Sequence, residues 1–479
     1  MKRYLEYSTG VKLIVTVFLL ILSFFLAVFK YPDDFVASSN ILTCLAILVY
    51  LWIILSAPAK VENKINLYRI FILLTIPFYF GGQILILLGY ATELGAERYS
   101  LIDGRLSLES SIRAMQFIIS SLLCVHIGYL SSDPTHDKGI RTNKVSINEN
   151  VMKGIDLVAS LLIIVTIGPS IARLVYDIAT SRTLGHLAAF NMRSEEDYLG
   201  IWFIFTYIQG WFLPACYMKL IAGKTRLPVY ILLGVYCVLY LMSGSRFQIL
   251  LILFCVFLIE IYWNERRINK RSIIKLLLFG WLMLVILRSV SYTRDTTGSG
   301  LSWDSIKDVI GGGVLYEGLF ETSTTFTSIV SIIERCPSYL PFNCGKSVVG
   351  SLIYVLPSFL RPSWFGKIVL HISAVLSPLY YGFKGAGYGS AFLAEAYFNY
   401  GYFSYIVLIL FGIILGWLIR KIVHSASEKD AYSFIVSMYI MSELVWGIRA
   451  DLYLVPRHVV YYVLIPLIIA KLISRRYHD

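Results

Sequence analysis

Nearly uncharged apolar runs of bilayer length recur along this chain, and they decide its solvent before any motif is consulted. Twelve can be read, at 12–29, 38–57, 67–90, 111–131, 155–178, 200–220, 227–243, 247–263, 272–290, 402–419, 431–448 and 457–473. A helix needs about 20 apolar residues to cross a hydrocarbon core of about 30 Å. With no water inside the bilayer, only helices and closed barrels satisfy their backbone there. Of 479 residues, 57% are hydrophobic and 15% charged, too few charges for a set of soluble domains. Disorder, collagen and a disulfide-dense secreted scaffold are excluded by the same composition. The chain is expected to be an all-α polytopic integral membrane protein with about twelve transmembrane helices. The first run outlasts a signal core and lacks a small-x-small site before Lys30–Asp34, so it reads as a retained helix.

Loop charge gives the orientation. Lys2, Arg3 and Lys12, then Lys60, Lys64 and Arg69, then Arg266, Arg267, Lys270, Arg271 and Lys275, and finally Lys471, Arg475 and Arg476 fall on one side. The other side's short loops are poor in Lys and Arg. By the positive-inside rule both termini are cytoplasmic and the number of spans is even. The net charge of +12 is mostly this bias, so membrane lipid is the expected partner and nucleic acid is not.

Three regions of one integrated domain follow: nine helices over 1–290, a large outer loop over 291–401, and three helices over 402–479. The loop is too long for a simple connection. It holds a helical pattern at Val309–Glu334 and two short apolar pieces, Val348–Leu360 and Ile368–Leu379, expected to be re-entrant or interfacial. Cys336 and Cys344, both in this loop, bracket Pro337–Asn343 and are expected to pair as a disulfide in an oxidising compartment. No CxxC or Cys/His cluster occurs, so neither a metal nor another cofactor is expected.

Ionisable residues gather at one membrane face. Arg173 and Asp177 lie near the outer end of the fifth span and Arg288 near that of the ninth. Arg246 closes the turn Ser243-Gly244-Ser245-Arg246, Arg294-Asp295 opens the large loop, and Arg361 sits between its short helices. Arg449, Asp451 and Arg457 form the last outer loop, with Glu443 just below. Any one of these arginines could simply snorkel. Several guanidinia at one face suit a polyanion such as phosphate, through forked hydrogen bonds.

A second constellation is Lys384-Gly-Ala-Gly-Tyr-Gly-Ser390, which leads into Ala391-Phe-Leu-Ala-Glu395-Ala-Tyr-Phe-Asn399-Tyr-Gly401. Ser390 is placed to cap the following helix. Glu395 and Asn399, four apart, share a helix face expected at the outer mouth. A lone carboxylate in so apolar a stretch could accept a proton or could be a structural Glu bonded to nearby backbone. Glu317 and Glu321 form another same-face pair, suited to acid–base work or to a solvated helix face. Tyr380, Tyr381, Phe383 and Tyr388 cluster by the glycines, as an interfacial belt or a platform for sugars. His126, His186 and His371 read as isolated, satisfied or interfacial side chains.

At these residues the chain resembles Wzy-type O-antigen or capsule repeat-unit polymerases. The matching features are the many spans, the outer loop before the last ones, the turn Ser243–Arg246, and the Gly-x-Gly-x-Ser-x(4)-Glu-x-Tyr-x-Asn-Tyr-Gly pattern over Gly385–Gly401. Phe247-Gln248 departs from the small residues common there in relatives. The resemblance implies a membrane glycosyltransferase related to the GT-C class, in the bacterial inner membrane and acting at its outer face. It would move a growing glycan from undecaprenyl pyrophosphate onto the acceptor hydroxyl of a new lipid-linked repeat unit, alongside a chain-length regulator and a flippase. Arg246, Arg294, Arg361, Arg449 and Arg457 would then hold the pyrophosphate, and Glu395 would be the base. Asp295, Glu317, Glu321 and Asp451 are the reserve carboxylates, and Tyr381, Tyr388 and Asn399 the sugar contacts. An O-antigen ligase and a polysaccharide flippase or transporter are the alternatives; a transporter is expected to show related halves and charges at the midplane, and neither is visible.

Overall fold

The computed structural model describes residues 8–28, 35–58, 60–61, 64–90, 107–132, 148–184, 201–243, 245–266, 318–319, 322, 324–372, 375–376 and 390–475. Apart from a two-residue antiparallel hairpin, Lys60–Val61 with Lys64–Ile65, the regular structure described is helical. The order is α1 (Thr9–Val28), α2 (Phe35–Ser56), α3 (Leu67–Leu87), α4 (Leu108–Ser131), α5 (Glu149–Leu184), α6 (Ile201–Ala222), α7 (Leu227–Met242) and α8 (Arg246–Leu258). A π turn, Ile259–Trp263, continues α8. Then come α9 (Thr324–Arg335), α10 (Lys346–Ile353), α11 (Phe392–Tyr400), α12 (Ser404–Ser427) and α13 (Ala431–Trp446). The closing rod consists of α14 (Val455–His458), a π stretch Val459–Leu464, and α15 (Ile465–Arg475).

Among the described residues, seven helices are long and apolar enough to cross a membrane, and three shorter apolar helices accompany them, at Leu227–Met242, Phe247–Trp263 and Ala431–Trp446. The expected span at 272–290 lies outside the described residues. The expected spans at 227–243 and 431–448 are helices of 16 residues, about 24 Å at 1.5 Å per residue, which is short for the hydrocarbon core. Pro228 opens the first of them and the Ser243 turn closes it; Gly447 ends the second.

Close backbone crossings carry the packing. A Cβ on Gly128 of α4 would sit 1.9 Å from the carbonyl oxygen of Ile409 on α12, and one on Gly412 would sit 2.1 Å from that of Val125. Gly412 and Gly416 are four apart, so α12 presents a small-residue face that lets two backbones meet where lipid offers no hydrophobic drive. Polar side chains inside the bundle pair with one another. Ser23 meets Ser120 at 2.9 Å, and Trp52 donates to Thr16 at 3.0 Å. His126 is held at both ring nitrogens, by Ser56 at 2.8 Å and Tyr68 at 3.1 Å. It is a satisfied core histidine, as its sequence context suggested, while His186 lies outside the described residues. Arg173 and Asp177, both buried in α5, form an ion pair at 3.4 Å.

The loop between α8 and α12 folds partly over one end of the bundle. Helix α9 packs against α4 and α11. Helix α10 and two 3₁₀ turns, Ser358–Leu360 and Ser363–Lys367, follow it. Ile372 and Leu376 of the second short piece are buried in the core, while Val349, Leu352, Phe359 and Leu360 of the first, and Trp364 after it, are exposed. Helix α11, by contrast, is buried from Phe392 to Asn399. It turns into α12 at Gly401, whose φ of +55° suits glycine and whose missing Cβ leaves room for the Phe342 ring, 2.8 Å from where that atom would be.

Candidate functional site

Two clusters form where the outer loop meets the loop between α13 and α14. The first is built on α11. Glu395 is buried, and both its carboxylate oxygens are engaged. Leu452 donates its backbone N–H at 2.8 Å and Ser347, on α10, its hydroxyl at 3.3 Å. Asn399, one turn on, donates to the Glu395 carbonyl at 2.9 Å and to the Ser347 oxygen at 2.8 Å. Asp451 is buried too. It accepts the Ser390 hydroxyl at 2.5 Å and the Ile372 backbone N–H at 3.1 Å. Burial, with the Glu395 carboxylate beside it, pushes Asp451 up to about 8. Backbone bonds close the knot: Ser390 to Arg449 at 3.2 Å, Phe392 to Gly447 at 2.8 Å, and Asn343 to Phe398 at 2.9 Å. Four stretches of chain, at 343–347, 369–372, 390–400 and 447–452, are thereby tied at one point.

Three expectations change here. Glu395 is 9% exposed, in a sealed knot rather than at an open mouth, because its acceptors meet donors from two other elements. Asn399 is 1% exposed, with its amide turned to Ser347 and the α11 backbone rather than to an open mouth. Ser390 does not cap α11: Ala391 holds that position without a side-chain bond, and the Ser390 hydroxyl goes to Asp451.

The second cluster is built on an aromatic ring. Tyr354, at the end of α10, carries the Arg361 guanidinium 4.4 Å from its ring centroid and the Arg457 guanidinium 4.6 Å from it. Arg361 is anchored along one edge, donating to the carbonyls of Leu356 at 2.9 Å and Tyr354 at 3.4 Å. Arg457 donates to the Tyr207 hydroxyl at 2.6 Å and lies over the Tyr207 and Tyr461 rings at 5.0 and 5.9 Å. Neither guanidinium has a carboxylate partner among the described residues. A guanidinium offers five donors, so both keep donors in reserve. His371 stacks on Tyr453 at 5.1 Å, and Tyr453 adjoins Tyr354 at 6.0 Å. Tyr461 fixes the floor, its hydroxyl donating to the Val355 carbonyl at 3.0 Å and its backbone carbonyl accepting from the Trp211 indole at 2.8 Å. Gly210 on α6 makes room for the neighbouring Tyr462, since a Cβ there would fall 2.2 Å from the ring.

Of the five arginines expected to act together, Arg361 and Arg457 therefore meet at one ring. Arg449 contributes its carbonyl to the knot. Arg246 is the first residue of α8; its side chain, like all of Arg294, lies outside the described residues, as do Asp295, Glu317, Glu321, Tyr381 and Tyr388. The expected disulfide is not formed. Cys336 is a buried free thiol at the end of α9, and Cys344 is an exposed one at a φ of +51°, so one side chain faces the core and the other solvent.

Sequence reasoning passed over His458. Its Nδ1 lies 3.3 Å from both carboxylate oxygens of Glu443, and its ring is 5.3 Å from Tyr462. The available signal was its place next to Arg457; its partner, fifteen residues earlier on another helix, carried none. No group of three or more His, Cys, Asp or Glu placed to hold a metal ion occurs among the described residues.

Comparison with protein-family models matches residues 12–478 to the O-antigen polysaccharide polymerase Wzy family. The match spans nearly the whole chain, and the protein belongs to that family. Neither the curated proteins nor the solved structures contain a match to the chain.

Proposed function

From membership of this family we infer that the protein joins lipid-linked glycan repeat units, moving the growing glycan from undecaprenyl pyrophosphate to an acceptor hydroxyl on a newly delivered unit. The Arg361–Tyr354–Arg457 stack carries the reading. Breaking the bond between the anomeric carbon and the pyrophosphate leaves new negative charge on the lipid diphosphate. Two guanidinia without carboxylate partners among the described residues, preset by an aromatic ring and backbone carbonyls, are suited to receive it. Donors fixed before reaction stabilise developing charge without reorganising. Fork-shaped donors match phosphate oxygens better than an ammonium does. The surrounding Tyr207, Tyr453 and Tyr461 rings would supply further faces on which pyranose rings stack, beside the Tyr381 and Tyr388 expected for that role.

On this reading the reaction runs at the outer face of a bacterial inner membrane, with both termini cytoplasmic as the loop charges favour, and with an architecture related to GT-C transferases. Lipid tails of donor and acceptor would lie against exposed apolar side chains such as Ile406 and Leu410 on α12 and Phe403 just before it. A regulator of chain length and a flippase would act on the same substrate before and after this step.

The direct test supplies purified protein, in lipid, with the lipid-linked repeat unit extracted from the host strain deleted for this gene, and with no other enzyme. A ladder of lipid-linked oligomers is expected. A product formed only when lipid A core is added would make the protein a ligase, and movement of the unit across the bilayer without bond formation would make it a flippase.

A further inference from the structure

Each carboxylate oxygen of Glu395 already accepts a bond and the residue is buried in the knot, so it is not open to an acceptor hydroxyl. One group near the arginines has the opposite arrangement. His458 follows Arg457 directly, and its Nδ1 faces the Glu443 carboxylate of α13 at 3.3 Å from either oxygen. The carboxylate side chain is 13% exposed and the imidazole 27%. The anion is therefore mostly withdrawn from water while the ring keeps an open edge. Nε2 has no hydrogen-bond partner among the described residues. A carboxylate on one ring nitrogen fixes the tautomer, with the proton on Nδ1 and the lone pair on Nε2, and stabilises the imidazolium once formed.

We propose that His458 is the catalytic base of glycan transfer and that Glu443 is its positioning residue. The inference rests on the polymerase reading above. The acceptor hydroxyl gives its proton to Nε2 as its oxygen forms the new bond to the anomeric carbon of the growing glycan. The bond from that carbon to the pyrophosphate oxygen breaks, and its electron pair leaves with the lipid diphosphate, whose charge Arg361 and Arg457 receive. The imidazolium, held by Glu443, later releases the proton to water. Tyr462 on its own rod lies against the ring, and Glu443 from α13, itself beside Tyr439 and Cys255, faces it. Of these, Glu443 is the carboxylate bonded to the imidazole.

The test pairs His458→Gln and Glu443→Gln with their double variant, in lipid, on the extracted repeat unit. Binding of undecaprenyl pyrophosphate alone is measured in parallel. His458→Gln is expected to slow oligomer formation by about 10²-fold or more while binding the diphosphate lipid as the wild type does. Glu443→Gln is expected to slow it less, again without loss of binding. The double variant should be no slower than His458→Gln, because residues acting as one unit are strongly non-additive. A structural role would instead lower folded yield or donor binding, and its losses would add. Oligomer formation by His458→Gln at the wild-type rate overturns the proposal, as do additive losses. If His458→Gln does not fold, a wild-type rate for Glu443→Gln overturns it equally. Failure of the wild type to form any oligomer overturns the polymerase reading and is told apart by that.

Discussion

The two clusters use similar chemistry to opposite ends. In the Glu395–Asp451 knot, four carboxylate oxygens meet four donors, one from each of four stretches of chain. In the Tyr354 cluster, two cations are held by rings, a phenol and carbonyls, and keep donors unspent. Buried polar groups whose partners are all internal rigidify a fold. Groups held in place but not used up are available to a substrate. Glycine-rich sequence drew attention to the first cluster, yet the geometry gives it a holding task. It fixes the loop before α14 and the start of α10, and so sets the spacing of Arg457 and Tyr354.

The contrast breaks most sharply at the cations. Arg361→Lys and Arg457→Lys should each reduce oligomer formation, and together by about 10²–10³-fold, with folded yield unchanged. Lys keeps the charge but loses the planar fork, so product ladders of wild-type length from the double variant would dissolve the distinction between the clusters. Next comes Glu395. The Gln variant can still accept from Leu452 and donate to the Ser347 oxygen, so it should fold and form oligomers within a few-fold of wild type. The Ala variant strands a buried N–H, at about 1–3 kcal/mol, and should show a lowered Tm. Equal activity loss in both would return Glu395 to the chemistry.

A subtler effect sharpens the same comparison. Asp451 is held up to about 8 by burial and by Glu395, so the folded protein binds more protons than the unfolded chain from about pH 4 upward. Its contribution to stability is greatest below the unfolded value and is lost as pH rises toward 8. Tm should therefore fall over that window, and Asp451→Asn, which can donate to Ser390 and accept from Ile372, should flatten the slope. An unaltered slope would take the titration away from this knot. The smallest effect concerns the thiols. Peptide mapping after alkylation of protein purified without reductant should find Cys336 and Cys344 unpaired, and Cys336→Ser/Cys344→Ser should leave chain growth unchanged.

Sequence carried the membrane class, because span length is a one-dimensional property and each apolar run declares itself. It also placed Arg361 and Arg457 among the candidates, since charges at helix ends stand out against an apolar background. What it could not carry was pairing across the chain. Glu395 meets Leu452 and Ser347 over separations of 57 and 48 residues, and the stack on Tyr354 joins the outer loop to the closing rod. The same lone carboxylate and amide, four apart on a helix, suit an open mouth or a sealed knot. Only the donors brought in from elsewhere decide between them, as the burial of Asn399 shows. His458 escaped notice for the same reason: its meaning lies in Glu443, one helix away.

The π stretch Val459–Leu464 gives the closing rod an index setting. Below it, α15 lies against α5, so closely that a Cβ on Gly154 would come 2.6 Å from the Ala470 carbonyl oxygen, and that contact locks the lower half in rotation. Above it stand Arg457 and His458. Each residue advances an α-helix by about 100°, and a π turn holds one residue more than the turn it replaces. The angular bearing of the arginine and the histidine is therefore set by a count rather than by their own contacts. Deleting Val463 alone would keep every aromatic and charged side chain of the rod and swing that pair about a quarter turn away from Tyr354 and Glu443.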